Sequence, residues 1–96
     1  MNDALFDWDD ANIGHIAEHD VTPEEAEEAM LGDPLEMDFE WSEEGEGRWT
    51  YIGETTPGRF LQVIITTRGE RFRVVTAFEP IRRFKLIYLR SKVEQR

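Results

Sequence analysis

His15 and His19 stand four residues apart in "NIGHIAEHDVTPEEAEEA", residues 12–29, with Asn12 one helical turn earlier. On a helix these three share a polar stripe turned away from Ile13, Ile16 and Ala17. Two neutral imidazoles at this spacing can bind a metal if a third ligand joins them, and Asp20 or a distant carboxylate could serve. Because histidine titrates near neutrality, either ring could instead act as a general acid or base. The plainer alternative sets His19 against the helix C-terminus and leaves His15 hydrogen-bonded or exposed. The motif lacks the inner glutamate of H-E-x-x-H and names no third ligand, so no metal and no cofactor is assigned.

Cations form the second candidate group. Arg71 and Arg73 alternate on one face of a strand, and Arg82, Arg83 and Lys85 follow in the next helix. Arg48 and Arg59 stand near neighbouring strand ends. Together these residues could hold phosphates, with Trp49, Tyr51 or Tyr88 available to stack on bases. The alternative is internal neutralisation. Residues 1–46 carry 17 of the 21 acidic side chains and no Lys or Arg, whereas residues 47–96 carry all 11 basic ones. The net charge of −10 opposes nucleic-acid binding as an average, but the polarised distribution permits a basic working face on an acidic body.

The elements that must position these groups are legible from capping and periodicity. Asp9 can cap a helix from its first free amides, with Trp8 and Ile13 at staple spacing, and that helix should end near His19–Asp20. Thr22 as cap, Pro23 at the first helical position and Glu25 three residues after Thr22 start a second helix. Its buried stripe is Ala26, Ala29 and Met30, and Gly32-Asp33-Pro34 stops it. Glu24, Glu27 and Glu28 read as a solvated face in the favourable first turns. From Leu35 the period becomes two: Leu35, Met37, Phe39 and Trp41 alternate with Glu36, Asp38 and Glu40, which predicts one half-buried strand. "RWTYIGE" is a second strand, and Thr56–Gly58 a turn with Pro57 and Gly58 as its central pair. "FLQVIITT" is the most β-prone run, and Arg68-Gly69-Glu70 turns it into "RFRVVTAF". After Glu79-Pro80 a helix follows, with Ile81, Phe84 and Tyr88 on one stripe. The order α-α-β-β-β-β-α predicts an α+β domain with a four-stranded antiparallel sheet.

Ninety-six residues suit a single domain, here assigned to residues 1–96. The absence of cysteine rules out disulfides, thiolate nucleophiles and Cys-ligated zinc. "MNDALFDWDD" lacks a basic stretch followed by an apolar one, and no apolar run reaches membrane-spanning length, so a soluble cytoplasmic domain is expected.

The stretches "FDWDDANIGHIAEHDVTPEEAEEA", "GDPL", "YIGET..GRFLQVIITTRGERFRVVTA" and a C-terminal helix with "RR....Y" together resemble the BrnT family of small ribonuclease toxins. The resemblance runs from about Phe6 to Tyr88. It implies a RelE-like fold, a bacterial toxin–antitoxin module and a DNA-binding antitoxin, ribbon-helix-helix or similar, that covers the toxin. It also implies metal-independent cleavage of RNA, in which a ribose 2′-hydroxyl attacks the adjacent phosphate while a base takes its proton and cations stabilise the charge. Arg73 falls where the family has its strand arginine and Tyr88 where it has its helix tyrosine. The family pattern continues with Ser-Ala-Arg after that strand and places a glutamate four residues before the tyrosine. This chain has Thr76-Ala77-Phe78 and Phe84 there, and phenylalanine neither binds phosphate nor moves a proton. Two expectations follow: an endoribonuclease using Arg73, Tyr88, the basic residues and a histidine, or a non-catalytic binding or regulatory protein on the same scaffold.

Overall fold

Helices α1 (Asp10–Ala17) and α2 (Pro23–Leu31) precede strands β1 (Leu35–Trp41), β2 (Gly47–Glu54), β3 (Phe60–Arg68) and β4 (Arg71–Phe78), and α3 (Arg82–Glu94) closes the chain. This computed structural model describes residues 1–95. The strands form one antiparallel meander in the order β1-β2-β3-β4, and the fold is the α+β arrangement that the sequence predicts.

Both N-terminal helices are started by reciprocal side-chain caps. Asp9 accepts from the Ala11 and Asn12 amides while Asn12 Oδ1 accepts from the Asp9 amide. Thr22 and Glu25 make the second box, with Pro23 in the first turn. Helix α1 stops two residues earlier than its pattern suggests. The amides of Glu18, His19 and Asp20 turn to carbonyls three residues back, the tight closure typical of a helix end. Asp20 then takes a left-handed conformation, φ 60°, which an Asp side chain tolerates.

One sheet face packs on α1 and α2. Leu61, Val63, Ile65, Val74 and Ala77 meet Ile16, Val21, Ala26, Ala29 and Phe6, all buried. Helix α2 lies so close that a Cβ on Gly53 would stand 2.3 Å from the Ala29 carbonyl oxygen. Only glycine fits there. The other face carries Ile52, fully buried, and Phe60, whose ring lies 5.9 Å from that of Tyr88 on α3.

Several local expectations need correction. The pairing of β1 with β2 shifts between Glu36 and Asp38. This bulge leaves Met37 as the extra residue and puts Phe39 and Trp41 on the opposite face from Leu35. Leu35 pairs with Ile52, whereas Phe39 pairs with Trp49 and Trp41 with Gly47. Trp41 is 70% exposed, so the strand is not one half-buried stripe. The turn after β2 closes through the Gly58 amide to the Thr55 carbonyl, making Thr56 and Pro57 its central pair, one residue earlier than the composition suggests. Glu27 is not on a solvated face. It is buried and accepts from Trp8 Nε1 at 2.7 Å and from the Asn2 amide.

The N-terminal segment adds a feature that no sequence pattern announces. Phe6 bridges Phe72 in parallel along the outer edge of β4, with the Asp7 amide donating to the Phe72 carbonyl and the Phe72 amide to Leu5. That pairing protects the edge and delivers Asp7 to the arginines of β4.

Candidate active site

Asn12 sets the relation between α1 and the sheet. It is buried, and its side-chain amide donates to the carbonyls of Asp7 at 3.0 Å and Val74 at 3.1 Å. The first turn of α1 is thereby pinned to β4, and His15, one turn on, is carried to the rim of a cavity of about 180 Å³. Ala11, Asn12, Val74 and Val75 form part of the cavity wall, while Glu46, Arg48, Arg68 and Arg73 bring the charge. Strands β2, β3 and β4 thus each contribute one arginine, and α1 contributes an imidazole.

Each of these arginines has a carboxylate nearby. Arg73 lies 3.3 Å from Asp7 and 3.1 Å from Asp9, and Arg71 is 3.4 Å from Asp7. The hydrogen bond from Arg73 holds the Asp9 carboxyl below the usual carboxylate range. In return Asp9 raises the already high pKa of the guanidinium, with burial opposing. Glu46 serves two cations, Arg68 at 3.0 Å and Arg48 at 3.6 Å. The Nε atom of Arg48 is buried and makes no hydrogen bond among the described residues. That Nε is the atom facing Glu46 Oε1 at 3.6 Å, an ion-pair contact too long for a hydrogen bond.

His15 Nδ1 sits 3.4 Å from Glu18 Oε2. His15 and His19 meet edge to face at 5.6 Å. Among the described residues no group of three His, Asp or Glu side chains is arranged to hold a metal ion.

The remaining candidates lie elsewhere. His19 packs against Phe78 with tilted rings 5.6 Å apart, and both line a second, open hollow of about 550 Å³ with Asp20, Arg59 and Glu79. Arg59 is engaged there by Glu25, Glu79 and the Asp20 carbonyl. Tyr88 is buried on α3, and burial raises its phenol pKa. It touches Phe60 at the start of β3, whereas Arg73 pairs with Thr66. Six residues of strand separate those points, roughly 20 Å at 3.3 Å per residue. Arg73 and Tyr88 therefore stand at opposite ends of the sheet. Arg82, Arg83 and Lys85 are on α3, where Arg83 lies over the ring of Phe84 and Lys85 over that of Phe60. The sequence did not single out Arg68 or Glu46. Arg68 was within reach of it, since the tight Arg68-Gly69-Glu70 turn sets Arg68 opposite Arg71.

A family profile described as "Ribonuclease toxin, BrnT, of type II toxin-antitoxin system" matches residues 8–81, more than three-quarters of the chain. The chain belongs to the BrnT family. Membership connects it with ribonuclease toxins and with an antitoxin partner. No curated protein and no solved structure gives a significant match. The family match takes in α1, the sheet and all four charged groups of the cavity, and it ends just before α3. Among the described residues no helix is long and apolar enough to cross a membrane.

Proposed function

We propose that this BrnT-family protein is an endoribonuclease on a RelE-like scaffold, acting in the cytoplasm and held in check by a DNA-binding antitoxin of ribbon-helix-helix type. The observation that carries this reading is the meeting of His15, Arg48, Arg68 and Arg73 at one cavity, where a single carboxylate, Glu46, is shared by Arg48 and Arg68. The scissile phosphate sits among the three guanidinium groups. His15 Nε2 removes the 2′-hydroxyl proton. The 2′-oxygen–phosphorus bond forms as the phosphorus–5′-oxygen bond breaks, leaving a 2′,3′-cyclic phosphate and a 5′-hydroxyl that takes its proton from imidazolium or water. The guanidinium groups stabilise the charge that develops on phosphorus-bound oxygen, so the step needs no metal. Arg71 extends the phosphate track along the edge of β4. Tyr88 anchors α3 rather than touching RNA. His19 and Arg59 border the second hollow, where the RNA chain could continue.

A second reading has two observations in its favour. Arg73 already satisfies two carboxylates, and Phe78 and Phe84 stand where the family pattern has an arginine and a glutamate. On that reading the scaffold binds its partner without cleaving RNA. Incubating the purified protein with oligoribonucleotides separates the two. Cleavage with cyclic-phosphate ends, abolished in His15→Ala and Arg73→Ala variants, supports the nuclease. Intact RNA with well-folded protein supports the binding scaffold.

A further inference from the structure

The cations of this chain divide into two sets. One set meets carboxylates from the acidic half: Arg48, Arg68, Arg71 and Arg73 on the strands, Arg59 just before β3, and Lys92 on α3, which pairs with Asp33. Arg82, Arg83 and Arg90 on α3 have no carboxylate within salt-bridge distance among the described residues, although the chain carries ten more acids than bases. These three arginines share the outward side of α3 with aliphatic residues. Arg82, Arg83, Leu86, Ile87 and Arg90 line a hollow of about 410 Å³. The positions fall at i, i+1, i+4, i+5 and i+8, a single helical face, and Tyr88 is buried on the other side. Leu86, Ile87, Leu89 and Val93 are 49%, 43%, 39% and 65% exposed. Positions 82, 86, 89 and 93 follow the 4-3-4 spacing of a coiled-coil seam.

We propose that this face of α3 receives one amphipathic helix of the antitoxin, with an apolar seam flanked by Glu or Asp. The inference rests on the toxin–antitoxin reading for the existence of the partner; the surface itself lies beyond the residues that the family profile matches. Charge and chemistry select this occupant. A second copy of the chain would set Arg82, Arg83 and Arg90 against their own counterparts, a like-charge contact that costs affinity. RNA would satisfy the arginines but not the aliphatic seam, because bases stack on aromatic rings and the hollow has none in its lining. An acidic helix satisfies both. Its leucines cover Leu86, Ile87 and Leu89, and its carboxylates pair with guanidinium groups in the bidentate geometry that arginine favours.

The test titrates the full-length protein with a labelled 18-residue helical peptide carrying leucine at heptad a and d and glutamate at e and g. A lysine-for-glutamate peptide and a 12-residue oligouridylate run alongside. Saturable binding of the glutamate peptide is expected, weakened at least tenfold by Leu86→Glu and by Arg83→Ala, with circular dichroism showing both variants folded. The lysine peptide should not bind. Equal binding of both peptides, no binding of either, or indifference to Leu86→Glu overturns the proposal. It also fails if Leu86→Glu dissociates a homodimer, or if oligouridylate competes with the peptide for this face. RNA cleavage by the same samples is scored separately. Leu86→Glu protein that cleaves RNA as wild type does, yet loses the peptide, separates the docking surface from the nuclease site.

Discussion

Replacing Asn12 tests how the site is assembled, because this residue fixes α1, and with it His15, to β4. Its side chain makes three contacts: donations to the carbonyls of Asp7 and Val74 and acceptance from the Asp9 amide at 2.8 Å. At about 1 kcal/mol net for each hydrogen bond, Asn12→Ala should cost about 3 kcal/mol. A domain of this size loses roughly 4–8 °C of melting temperature per kcal/mol, so the drop is about 12–24 °C. Asn12→Asp is the sharper variant. It keeps the acceptor that completes the capping box, but it turns a carboxylate toward two carbonyl oxygens in a buried place. If the donations to Asp7 and Val74 dominate, Asp must be worse than Ala, since a buried charge facing acceptors is costly. If Asn12 is only a helix cap, Asp must be nearly neutral. Thermal unfolding followed by circular dichroism distinguishes these outcomes. An Asn12→Asp protein more stable than Asn12→Ala would refute the account of how α1 is held.

Glu27→Gln places an amide donor against either the Trp8 indole or the Asn2 amide, both of which donate to the native carboxylate. We expect a loss of about 1–3 kcal/mol in urea unfolding, and a Glu27→Gln protein as stable as wild type would contradict it. For Glu25, burial works to raise the carboxyl pKa, but the Thr22 amide and Arg59 outweigh it and the net shift is downward. A carboxyl depressed in the folded state contributes stability that is present above its unfolded pKa and lost as pH falls through the folded one. The stability gap between wild type and Arg59→Ala should therefore be widest near neutrality and shrink in acid; a gap independent of pH in urea titrations would overturn this. Tyr88→Phe should leave RNA cleavage unchanged, because the ring lies at the far end of the sheet from Arg73, and a severe loss of rate would bring Tyr88 into the reaction.

What the sequence discloses depends on how local its cause is. Caps are local, so Asp9, Thr22, Pro23 and Glu25 mark both helix starts, and the β-prone run "FLQVIITT" marks an interior strand. The β1 bulge is decided by pairing with β2, which alternation in "LEMDFEW" cannot report, and Phe39 and Trp41 change face for that reason. Glu27 looks like its solvated neighbours because the groups that bury it, Trp8 and Asn2, come from a separate segment. The same limit applies to the site. The arginines of β4 stand out by their alternation, but the grouping of Arg73 with Arg48, Arg68 and His15 depends on sheet register and on Asn12 docking α1. Charge polarity was readable as two alternatives, and the strand arginines and Lys92 follow the first, pairing with carboxylates, whereas Arg82, Arg83 and Arg90 have none within salt-bridge distance among the described residues.

The most direct measurement of the nuclease account is the cleavage of an oligoribonucleotide and of its 2′-deoxy counterpart by the purified protein, with and without chelator. The account predicts 2′,3′-cyclic phosphate and 5′-hydroxyl ends from the ribose strand, no cut in the deoxy strand, insensitivity to chelator and loss of activity in Arg73→Ala and His15→Ala. Cleavage of the deoxy strand, or cleavage that survives both substitutions, would contradict it.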